Sequence, residues 1–141
     1  MEDVDFGLRC CLHGLQGLYV PEALAYHRGS ATLGEWNSDT VRHIARNQVL
    51  LTAKHFQGQP RFPILAGQLL WGLVALRHGR ALSYIRGKLE GLRKARVSGI
   101  EKAKHNELQR ILTQSEQTIL SLQRQTGFDS YWRAYFCLSR P

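Results

Sequence analysis

The stretch from Phe62 to Leu76 leaves this chain few ways to fold. It is apolar on most sides of a helix, with Gln68, Gly67 and Gly72 as its main interruptions. At about 15 residues it is too short to cross a hydrocarbon core of roughly 30 Å, so it is either buried against the rest of the chain or laid in an interface. Residues 77–104 follow directly, with nine lysines and arginines against Glu90 and Glu101. Residues 1–60 hold five basic and six acidic side chains, so the net charge of +8 is concentrated just beyond the most apolar run. A localised positive field favours a polyanionic partner, either an anionic membrane surface or nucleic acid. The plainer alternative is a solvated helix face. Nucleic acid is not expected, because only Tyr84 interleaves the basic residues and no recognised motif is present. The expectation is therefore an element lying on the cytoplasmic leaflet, with Trp71 in the interface and Arg and Lys toward the headgroups. An ordinary buried helix packed on a sheet is the competing expectation.

The 141 residues allow one modest domain. Helical spacing runs from Asp3 to His13, with acidic residues in the first turn, Asp5 and Arg9 four apart, and Gly14 as the stop. Gly17–Pro21 and Leu24–His27 read as two short strands, followed by a Gly- and Ser-containing loop from Arg28 to Asn37. Ser38 or Asp39 is expected to cap a helix reaching about Phe56, which Gly58-Gln59-Pro60 ends. Phe62-Pro63 opens the apolar helix, Gly79 interrupts, and a basic amphipathic helix runs from Ala81 to about Arg96. Ser98 and Glu101 have capping-box spacing and should open a polar helix reaching about Gln125, before a short aromatic docking helix near Tyr131–Phe136. Glu2, Asp3 and Asp5 are the opposite of a signal peptide's basic start, and Cys10, Cys11 and Cys137 fit neither a zinc spacing nor a disulfide framework. Both points favour a reducing, cytoplasmic setting.

Some residues carry chemical possibilities. Glu2 and Asp3 sit at a positive helix end, where carboxylates stay ionised and suit a general base, although capping is the commoner role there. His27 enters a loop in which Arg28, Ser30 and Thr32 could hold phosphate; a structural histidine is the alternative.

The ordered segments Glu2-Asp3-Val4-Asp5-Phe6-Gly7-Leu8-Arg9, Tyr19-Val20-Pro21-Glu22-Ala23, Tyr26-His27-Arg28-Gly29-Ser30-Ala31-Thr32 and Arg46-Asn47 resemble the C-terminal half of family 2 glycosyltransferases. The likeness is to the rhamnosyltransferase-like subgroup that builds bacterial surface polysaccharides. It covers residues 2–56 well and is looser beyond. It implies the C-terminal part of an incomplete GT-A α/β domain over residues 1–57, then a helical, membrane-apposed extension over 58–141. The expected fold class is thus mainly α with a small β remnant. The resemblance further implies inverting sugar transfer from a nucleotide-sugar donor to a saccharide or lipid-linked acceptor, with a divalent cation, Mg or Mn. Asp3 would be the base, assisted by Glu2. His27 would lie near the metal or the donor diphosphate, and Arg28, Ser30, Thr32 and Trp36 would line the donor loop. The family's nucleotide-binding half and its separate Asp-x-Asp metal motif are not in these 141 residues, so the expectation is a fragment inactive alone, peripheral at the inner face of the cell membrane. A non-catalytic helical module that binds an anionic membrane or a partner protein is the other expectation.

Overall fold

A computed structural model describes residues 1–26, 34, 36–57, 61–95 and 105–139. Six helices account for the regular structure: α1 (Glu2–Leu12), α2 (Ser38–His55), α3 (Arg61–Arg77), α4 (Ala81–Ala95), α5 (His105–Thr126) and α6 (Ser130–Ser139). Among the described residues there is no strand and no sheet, which overturns the expected β remnant and with it the GT-A α/β domain. The physical reason lies in the backbone pairing of residues 15–26. Ala23 N–H donates to the Val20 carbonyl and Leu24 N–H to that of Glu22, local turn bonds rather than a ladder. Tyr19 and Tyr26 are almost fully exposed. A strand needs a second strand to satisfy its amides, and the alternating pattern of Gly17–Pro21 finds none here. His27, the end of the second expected strand, lies outside the described residues.

The helices themselves follow the apolar spacing closely. α2 is capped one residue earlier than expected: the Asn37 side chain accepts from the Asp39 N–H, so neither Ser38 nor Asp39 is the cap. α3 stops at Gly79, whose φ of 69° lies in the left-handed region. Arg80 N–H then donates back to the Ala75 carbonyl and Gly79 N–H to that of Leu76, closing the helix with a Schellman turn. This turn folds α4 back along α3.

The closest packing is between α2 and α4. A Cβ at Gly87 would collide with the Arg42 carbonyl oxygen and reach Ala45, and one at Gly91 would meet the Arg46 carbonyl and Val49, both at 2.8 Å. Contacts at 42 and 45 for residue 87, then at 46 and 49 for residue 91, mean that the two helices run parallel. α3 runs antiparallel to α4: Tyr84 lies against Gly72 and Lys88 reaches Gln68. α6 packs on the other side of α3 through Gly67, whose carbonyl accepts from the Tyr131 hydroxyl at 3.3 Å. α5 meets α1 and buries Leu108 and Ile111. The apolar core among the described residues is small: Val41, Ala45, Ala66, Ala75, Leu108, Ile111 and Phe136.

Candidate functional site

Glu2 and Asp3 share the first turn of α1, and both carboxylates are largely exposed. The Met1 amino group, 3.0 Å from Asp3 Oδ1, and the Val4 N–H hold the Asp3 carboxyl below the usual range, so it is ionised. His27, Arg28, Ser30 and Thr32 lie outside the described residues. Trp36 is described: its ring stacks on His78 at 3.8 Å and 5°, and its carbonyl accepts from Arg80 Nε at 2.6 Å. Its φ of 53° is in the left-handed region, a strain these contacts offset. Trp71 joins this cluster, 6.0 Å from Trp36 and 5.7 Å from Tyr84. It therefore faces inward rather than into an interface, contrary to the expectation for that side chain.

The Asp5–Arg9 pair forms at 3.1 Å, as the spacing predicts. Its larger role was not readable from spacing. Lys54 Nζ reaches Asp5 at 2.9 Å, and buried His55 places Nε2 2.7 Å from the same oxygen. Hydrogen bonds from Lys54, then His55, lower the Asp5 pKa to about 2. This cluster bolts α1 to the end of α2.

A second polar node joins α2, α3 and α4. Lys88 Nζ donates to Gln48 Oε1 at 2.8 Å and to Gln68 Oε1 at 2.6 Å, and lies 5.0 Å from the centre of the Tyr84 ring. Gln68 Nε2 donates to Thr52 Oγ1, and the Tyr84 hydroxyl donates to the Gln68 carbonyl at 2.5 Å. Among the described residues Lys88 has no carboxylate partner, and burial lowers its pKa to about 8. The same burial pushes Tyr84 up to about 12.

The outer side of the α3–α4 hairpin is the opposite of these satisfied clusters. Phe62, Leu65, Leu69, Leu73 and Leu76 form a ridge along α3, and Leu82, Ile85, Leu89 and Leu92 a second along α4. Each exposes more than half of its surface. The side of α3 turned to α4 carries Gln68 and Gly72, and the side of α4 turned to α3 carries Tyr84 and Lys88. On both helices the ridge is the next strip round, on the side away from α2 and α6. The two ridges therefore adjoin as one apolar face. Exposed Arg77 borders it along α3, and exposed Arg86 and Arg93 border it along α4. Soluble monomers rarely leave a contiguous apolar face of more than a few hundred Å² exposed. The heptad-like spacing of Leu82, Ile85, Leu89 and Leu92 beside arginines was the sequence signal for it.

Among the described residues no group of three or more His, Cys, Asp or Glu side chains is placed to hold a metal; His27, the ligand that the resemblance implies, lies outside them. No protein-family model matches the chain, and no characterised protein or solved structure matches it significantly.

Proposed function

We propose that this chain is a helical module that docks on an anionic membrane surface through the outer face of α3 and α4. The observation that carries the proposal is the exposed double ridge with arginines on both borders. Residues 61–95 hold seven lysines and arginines and one acidic residue, Glu90. The apolar ridges enter the boundary between headgroups and acyl chains while Arg77, Arg86 and Arg93 snorkel to lipid phosphates. No described helix is long and apolar enough to cross a membrane, so the attachment is lateral. Anionic lipid such as that of the cytoplasmic leaflet adds about 1 kcal/mol per basic residue near the surface.

Co-sedimentation with vesicles tests this. Recovery with vesicles containing phosphatidylglycerol at low salt, reduced at high salt and with phosphatidylcholine alone, is expected. Equal recovery in the supernatant with and without anionic vesicles overturns the proposal. A dimer that buries the ridges without lipid, seen by sedimentation velocity, overturns it in favour of self-association.

A second reading keeps sugar transfer. It is supported by the ordered motifs of residues 2–56 and by an ionised, solvent-facing Asp3 in the first turn of α1. In this reading Asp3 removes the proton of an acceptor hydroxyl as the nucleoside diphosphate leaves the donor sugar. Among the described residues Asp3 bonds within its own helix turn, so Asp3→Asn is expected to leave the fold intact. In a full-length parent that carries the donor-binding half, that substitution is expected to lose most turnover while retaining donor binding, and unchanged turnover removes the reading.

A further inference from the structure

A trough separates α5 from α2, α3 and α6, on the far side of α3 from the exposed ridges, with a volume of about 720 Å³. This lies within the range of about 300–1,000 Å³ typical of small-molecule sites. Its α5 wall runs from Gln109 to Ile119 on one helix face, about 15 Å at 1.5 Å per residue. Leu51, Ile64, Leu112 and Trp132 make its sides apolar. Such a long, mostly apolar groove suits an extended chain better than a compact polar metabolite.

One part of the trough is polar, and its polarity has a direction. Gln48, Thr52 and Gln68 line it, and behind them stands the Lys88 ammonium. An ammonium only donates, so both glutamine amide oxygens must turn toward Lys88. Their NH₂ groups then point the other way. That of Gln68 donates to Thr52 Oγ1, whose own hydroxyl proton goes to the Gln48 carbonyl. The three helices thus fix a positive charge with donors in front of it and, among the described residues, no carboxylate beside it. Among the described residues the one carboxylate lining the trough, Glu116, is on the α5 wall, so an anionic group is favoured at the α2–α3 side.

We propose that this trough binds a single aliphatic chain bearing an anionic head group, with the head against Gln48 and Gln68 in front of Lys88 and the chain along α5. The depressed pKa of Lys88 agrees with a half-buried cation that has no counter-charge among the described residues. The inference uses the interior of the bundle and does not depend on membrane docking by the opposite face.

Calorimetric titration at pH 7 with dodecyl phosphate below its micelle concentration tests it. One equivalent is expected to bind, with dodecanol at least about tenfold weaker and inorganic phosphate giving no heat. Ile119→Trp, which fills the α5 wall, is expected to weaken dodecyl phosphate at least about tenfold, and Lys88→Met to bring phosphate and alcohol within about threefold of each other. Circular dichroism of each variant checks folding; should Lys88→Met unfold, Gln48→Leu carries the head-group arm. Leu69→Glu with Leu89→Glu, on the outer face, is expected to leave the titration unchanged. Equal binding of alcohol and phosphate by the parent chain overturns the proposal, as does an unaffected Ile119→Trp. Loss of binding in the outer-face variant does so too, by placing the amphiphile on the ridges.

Discussion

The two sides of α4 were given different tasks by the same 15 residues. Toward α2 the helix presents Gly87 and Gly91, both buried, and the backbones approach until a single added carbon would strike the Arg42 carbonyl. Toward solvent it presents Leu82, Ile85, Leu89 and Leu92, all more than half exposed. Folding normally consumes large apolar side chains and leaves small or polar ones outside. Here the order is reversed: glycines make the interior contact, and leucines are left over. Bundle formation uses the small-residue side of α4 and leaves the apolar side exposed. Close glycine contact also gains dispersion and carbonyl-proximal packing without much apolar area, which fits the small core.

The sharpest way to break this contrast is to put a methyl group on the inner side. Alanine is better than glycine in a helix by roughly 1 kcal/mol, so an open site would gain stability from the change. At Gly87 the collision with backbone outweighs that gain, and Gly87→Ala is expected to lower stability by about 3 kcal/mol in urea unfolding. Gly91→Ala meets a carbonyl and a valine at 2.8 Å rather than closer, and is expected to cost about 1–2 kcal/mol. Increased stability in both would show that α2 and α4 are further apart, and the inner side of α4 would lose its special role.

A smaller effect is expected at the bolt between α1 and α2. Asp5→Ala leaves buried His55 without its acceptor and removes the partner of Lys54, costing about 1–3 kcal/mol at pH 7. The pH dependence has a defined sign. The Asp5 carboxyl lies at about 2 in the folded chain against an ordinary 3.8, so its contribution is fully present above 3.8 and is lost as pH falls toward 2. Stability measured between pH 5 and 2 should therefore converge for the parent and Asp5→Ala. Parallel curves over that range would show that the carboxylate is not what ties α1 down.

These two sites also show what the sequence could and could not disclose. Helix positions were legible because apolar spacing, Pro63, Gly79 and Gly127 are local signals, and the observed limits of α3, α4 and α6 fall within a few residues of them. The small residues Ser83, Gly87, Gly91 and Ala95, four apart, were an available sign of close helix contact that amphipathic spacing alone did not use. The expected strands failed because alternation says which face a strand would bury, not whether a partner strand exists. Asp5 was legible as an intrahelical partner of Arg9. Its bonds to Lys54 and His55 join residues 49 and 50 positions away, and pairings of that range are set by how helices dock. Stacking on His78 ties Trp36 to the α3–α4 turn, a contact that local spacing does not disclose. The Lys88 node needed three helices to meet before two glutamines and a lysine became neighbours.

The least effect on folding is expected where the effect on docking is greatest. Leu69 and Leu89 lie on neighbouring ridges and are 62% and 51% exposed, so changing them to glutamate removes little packing. Leu69→Glu with Leu89→Glu should hold stability within about 0.5 kcal/mol per site. The same pair removes two side chains that would each gain up to about 1.5–3 kcal/mol on full burial and adds two charges repelled by anionic lipid. Even half of that gain, summed over both sites, lowers the vesicle partition coefficient about tenfold. Arg86→Gln with Arg93→Gln separates the two components: it should remove much of the salt dependence while leaving the apolar contribution in place. If the glutamate pair unfolds the chain, those leucines belong to a core and the contrast between the two sides of α4 disappears. If it folds and still binds vesicles at full strength, the contrast stands but the membrane is not what the outer side is kept for.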